Sequence, residues 1–118
     1  TVDRSKSLSA FWTDLAAHRH RLTVVTMTEF GRRVQENDSE GTDHGAASYM
    51  MVLSGAVTGG KMYGDWPGLA PADLTLGDLT VATDNRQVLS EILAARHGQN
   101  DVSAVFPTLA YQPLGLFA

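Results

Sequence analysis

Between Ser7 and His20 the apolar residues are Leu8, Phe11, Trp12, Leu15 and Ala16, a spacing that gathers them on one side of a helix. An amphipathic helix is expected there, capped by Ser5 or Ser7. The cluster His18-Arg19-His20-Arg21 would put positive charge at its C-terminal end, where the helix dipole favours it. Leu22-Thr23-Val24-Val25-Thr26-Met27 is short and rich in β-branched residues, the mark of a buried strand. Because a helix leads directly into it, a parallel strand is expected. From Thr28 to Ala47 apolar periodicity is lost, and Gly31, Gly41 and Gly45 punctuate a polar stretch that reads as one long loop. Tyr49-Met50-Met51-Val52-Leu53 restores an apolar run and predicts a second buried strand.

Further along, Thr58-Gly59-Gly60 suits the turn of a short hairpin, Trp66-Pro67-Gly68-Leu69 another turn, and Pro71 to Gly77 an irregular connection. Leu79-Thr80-Val81-Ala82 predicts a short strand feeding a helix at Asp84. Asp84 and Gln87 have capping-box spacing, Val88, Leu89, Ile92 and Leu93 form one face, and Gly98 can stop the helix. The tail adds Val102 to Phe106 and an apolar set from Leu109 to Phe117. Strands alternate with helices, so the expected class is α/β: a small, mostly parallel sheet flanked by helices.

Composition narrows the picture. A chain of 118 residues fits one domain spanning 1–118, since either half would be too small for its own core. With 43% hydrophobic and 19% charged residues it has the make-up of a soluble globular protein. The net charge is -4 and no basic stripe is interleaved with aromatics, which argues against nucleic acid as a partner. Cysteine is absent, which excludes disulfides, thiolate nucleophiles and cysteine metal sites. No apolar run is long enough to span a bilayer. The start Thr-Val-Asp-Arg-Ser-Lys has neither an initiator Met nor a signal segment, as expected of a processed or excised chain.

The chemistry concentrates between Thr28 and Gly45. Glu29 would stand at the carboxyl end of a strand, where ligand groups gather in open α/β sheets, with Arg32 and Arg33 close behind. A carboxylate can bind a hard cation and an arginine fork can hold a phosphate, sulfate or carboxylate. Asp43-His44 adds an oxygen and an imidazole, ligand types that zinc, manganese and iron accept. A plainer reading pairs Glu29 with Arg32 as a salt bridge, makes Asp43 a turn residue, and leaves His44 solvated. Thr28 is either a nucleophilic hydroxyl or a loop cap.

The string Val24-Val25-Thr26-Met27-Thr28-Glu29-Phe30-Gly31-Arg32, followed by Gly41-Thr42-Asp43-His44-Gly45, resembles the bacterial domain-of-unknown-function family 1501. The resemblance continues through Gly59-Gly60-Lys61-Met62-Tyr63-Gly64-Asp65-Trp66-Pro67-Gly68-Leu69 and through Thr83 to Leu93. It ends at Val105-Phe106-Pro107 and Pro113-Leu114-Gly115-Leu116, so it covers nearly the whole chain. That family is grouped by distant similarity with the alkaline phosphatase and sulfatase superfamily of metal-dependent hydrolases. The resemblance implies an α/β core with metal ligands on loops after strands. It implies Glu29, Asp43 and His44 as ligands of a divalent ion such as zinc, manganese or calcium. Phe30 stands where the superfamily often has a histidine. Members are typically much longer, and this chain looks like their C-terminal portion. Longer relatives often look exported through the twin-arginine route, a signal this chain lacks.

Other residues have plainer roles. Asp14 and His18 are four apart on the first helix and read as a surface pair rather than a chelate. His18, Arg19, His20 and His97 read as charge at helix C-termini, and Trp66 as a buried aromatic closing a turn. Two functions follow. The first is a metal-dependent hydrolase of phosphate or sulfate esters, or of carboxylic esters or lactones. Arg32 would be its anion contact and Thr28 a catalytic hydroxyl. The second is a non-catalytic binding or oligomerisation module that covers an open sheet edge through a second copy.

Overall fold

The computed structural model describes residues 2–117. Helix α1 runs Val2–Asp14 and is followed by a 3-10 turn over Ala16–Arg21. It begins earlier than a Ser5 or Ser7 cap would place it, and the Ser7 hydroxyl donates instead to the Asp3 carbonyl within the helix. The basic cluster sits on the 3-10 turn, where Arg19 donates twice to the Trp12 carbonyl and lies 4.9 Å over the Trp12 ring.

Strands β1 (Thr23–Thr26) and β4 (Met51–Ser54) form one two-stranded sheet, and β2 (Gly31–Glu36) and β3 (Thr42–Gly45) form another. Both are antiparallel, which overturns the expected mostly parallel sheet. The reason lies in the connection. Parallel neighbours need a crossover, usually a helix, to return the chain to the starting edge. Here the chain leaves β1, makes the β2–β3 hairpin, and re-enters at the same end, pairing Thr26 with Met51 and Thr23 with Ser54. The expected buried strands are mostly half-covered, because among the described residues no further strand joins this pair to widen the sheet.

The expected loop from Thr28 to Ala47 is mostly this hairpin. Asn37 makes its turn: its side-chain oxygen accepts from the Ser39 and Gly41 amides, and its backbone amide donates to the Gly41 carbonyl. Such self-bonding is what fits asparagine to turns. No strand forms around Thr58-Gly59-Gly60, where the Gly59 amide donates back to Val57 and the Thr58 amide to Leu116. The expected strand at Leu79–Ala82 is also absent, and a single antiparallel bridge joins Thr75 to Asp78. Trp66, expected buried, is 68% exposed.

Helix α2 (Asn85–His97) matches its sequence signals most closely. Asp84 caps it by accepting from the Arg86 amide, and Gly98 ends it in the left-handed region at φ 66°. Gln87 does not close a capping box. Its side chain binds the tail, donating to the Ala110 carbonyl and accepting from the Gln112 amide. One turn on, the buried Glu91 carboxylate accepts from the amides of Leu114, Leu116 and Phe117. Arg96 ties the same helix to β1, donating to the His20 carbonyl and the Thr23 hydroxyl. The buried apolar set among the described residues is Ile92, Val102 and Leu116, so the core lies between α2 and the tail.

The Arg86 guanidinium, with the Arg86 amide, holds the Asp84 carboxyl below its usual value of 3.8. Its contribution is therefore complete above that value and is lost as pH falls through the lower folded value. Asp84→Ala is expected to cost about 1 kcal/mol near neutrality through the lost cap. Thermal melts of both proteins across an acid series should converge only below the ordinary carboxylate range. A gap that persists unchanged into strong acid would refute this role.

Candidate functional site

The hairpin brings together residues that the sequence separates. Register pairs Arg32 of β2 with His44 of β3, and Gly31 with Gly45. Between Arg32 and Glu36 the pairing is irregular, so that β2 bulges against the shorter β3. Bulges of this kind re-aim side chains at strand edges. The outcome is a shallow, open depression lined by Arg32, Arg33, Asn37, Thr42, Asp43 and His44.

Each group in it has a definite partner. One Arg32 nitrogen donates to the Thr42 carbonyl at 2.8 Å, leaving the other N–H groups of the fork for a ligand. The Arg32 guanidinium also lies 5.2 Å over the Phe30 ring, and that ring stacks on His44 with centroids 3.7 Å apart. The Asn37 amide donates to Asp43 at 2.8 Å. Arg33 is already paired: it donates to Asp78 at 2.7 Å and to the Leu76 carbonyl at 3.0 Å, which pins the Thr75–Asp78 turn. Arg32 thus keeps N–H groups beyond its bond to Thr42, and His44 rests its ring face on Phe30.

Arg32, Asp43 and His44, all expected at the site, do meet at the depression. Glu29 and Thr28 stand outside its lining, exposed on the segment between β1 and β2. Glu29 forms no salt bridge with Arg32 among the described residues. Asp43 and His44 are consecutive in β3, and both are exposed. Among the described residues no three His, Asp or Glu side chains converge as a metal centre would need. Sequence reading missed Phe30 and Asn37 as site builders. The spacing of Asn37 and Gly41, flanked by short polar strands, was the available signal for the hairpin that uses both.

A family model described as "Protein of unknown function (DUF1501)" matches residues 2–101, most of the chain. The chain belongs to the DUF1501 family. The DUF1501 match takes in both sheets, the hairpin and α2. No match was found among curated proteins or among solved structures. The family's own description leaves its activity open, so the site must speak through its chemistry.

Proposed function

We propose that the β2–β3 hairpin recognises the negative charge of an ester substrate, as part of an ester-hydrolysing site. The observation that carries this reading is Arg32, fixed opposite His44 by strand register and braced by Thr42 and Phe30 with much of its fork free. A planar guanidinium suits the oxygens of a phosphate, sulfate or carboxylate. His44 alongside offers a ring nitrogen able to donate or accept a proton. Phosphate or sulfate esters are favoured by the superfamily resemblance, and carboxylic esters or lactones come next. The donors at hand do not fit a closed metal centre, so the reading rests on anion recognition, with no step routed through a cation.

The test is calorimetric titration of the whole chain with inorganic phosphate and sulfate, alongside turnover of nitrophenyl phosphate, sulfate and acetate. Millimolar binding is expected, weakened about tenfold in Arg32→Ala, a change of about 1.4 kcal/mol. Equal binding by wild type and variant, or none at all, overturns the reading. A second reading, a binding or oligomerisation module without catalysis, is favoured by the sparse core. Binding without any turnover sensitive to Arg32→Ala would select it.

A further inference from the structure

Arg32 and Asp43 line the same depression with opposite charges, yet among the described residues they form no ion pair with each other. Each is anchored to a different partner. Arg32 donates to the Thr42 carbonyl, whereas one Asp43 oxygen accepts from the Asn37 amide. The other Asp43 oxygen has no hydrogen-bond partner among the described residues. Arg33 adds a second positive charge to the lining, but Asp78, which stands outside it, neutralises that charge at 2.7 Å. Glu36 pairs with Thr42 in the register and also lies outside the lining. The depression therefore presents one open guanidinium and one open carboxylate.

That balance suits some anions better than others. A doubly charged anion drawn to Arg32 meets the like charge of Asp43 in the same lining, a repulsion that salt screens only in part. A singly charged anion meets less of it. When the same ligand carries a hydroxyl or an ammonium, that group can donate to the open Asp43 oxygen, since an ionised carboxylate only accepts. We propose that the depression selects a singly charged anion bearing its own hydrogen-bond donor, the anion on Arg32 and the donor on Asp43. This specificity rests on the anion-binding reading of the hairpin given above. Among esters it favours sulfate monoesters and phosphate diesters of hydroxylated or aminated alcohols. Phosphate monoesters, doubly charged near neutrality, are disfavoured.

The test titrates the whole chain at low ionic strength with sulfonates that share one singly charged head. Ethanesulfonate has a bare alkyl tail, isethionate adds a hydroxyl, and taurine adds an ammonium. Arg32 and Asp43 are both exposed, so isethionate and taurine are each expected to bind about threefold to fivefold tighter than ethanesulfonate. A gain confined to one of the two names the donor and still supports the proposal. Asp43→Asn keeps an oxygen for the Asn37 amide, so its circular dichroism spectrum should match wild type. It is expected to cancel most of the gain and to tighten the binding of inorganic phosphate. If the sulfonates bind wild type alike, yet all weaken in Arg32→Ala, the proposal falls while the anion-binding reading stands. An Asp43→Asn protein that keeps the full gain also overturns it. Sulfonates that do not bind at all overturn both.

Discussion

Glu91→Ala is expected to destabilise the protein by about 3 kcal/mol, enough to leave much of it unfolded at moderate temperature. Glu91 is 5% exposed, and its two carboxylate oxygens take the amides of Leu114, Leu116 and Phe117. Alanine would leave those donors without their acceptor, at most cost for the buried Leu116 amide, and would hollow the contact between α2 and the tail. Hydrogen bonds to a charged acceptor are the stronger kind, so the loss exceeds that of a neutral one. Glu91→Gln keeps the shape but turns an amide toward some of these donors, and an intermediate loss is expected. The neighbouring Ser90 gives an internal control. Its buried hydroxyl has no hydrogen-bond partner among the described residues, so Ser90→Ala should be neutral or slightly stabilising. Urea unfolding followed by circular dichroism separates the three. If Glu91→Ala matches Ser90→Ala, the latch does not hold the tail.

Gly31→Ala is expected to cost about 2–4 kcal/mol and to disable the hairpin site without touching any group in its lining. Gly31 is buried at the start of β2, and an added Cβ would land on the Ala47 carbonyl oxygen. That atom is backbone, so the chain itself must move apart. Across the register, a Cβ on Gly45 would come 2.8 Å from the Arg32 carbonyl carbon, and Gly45→Ala should produce a milder form of the same defect. Neither glycine has a positive φ, so the requirement is close approach, not backbone conformation. Phosphate titration joined to thermal melts reads both effects. A Gly31→Ala protein that melts and binds like wild type would show that the hairpin tolerates displacement from the Ala47 segment.

These sites explain what the sequence disclosed and what it hid. Helix α2 was legible because its signals are local: a capping aspartate, an apolar face and a glycine stop. β1 and β4 were legible as strands because β-branched and apolar runs are short-range features. Their antiparallel pairing was not, since direction depends on where the intervening chain returns. β2 and β3 escaped because almost every side chain of β2 faces solvent and offers no alternation of apolar with polar. The polar cluster was legible as composition, and Arg32, Asp43 and His44 stand around one depression. Its limits were not. Glu29 stays on the approach to β2, outside the depression.

The position of the core has a dynamic corollary. Ile92, Val102, Leu116, Ser90 and Glu91 lie around α2 and the tail, whereas in the β2–β3 hairpin only its two paired glycines are buried. Opening the hairpin therefore exposes little apolar surface, while opening α2 exposes most of what is buried. Native-state amide exchange should fall into two tiers, with the hairpin amides exchanging through local fluctuations and those of α2 only through global unfolding. A ligand seated between Arg32 and His44 would slow the first tier and leave the second unchanged.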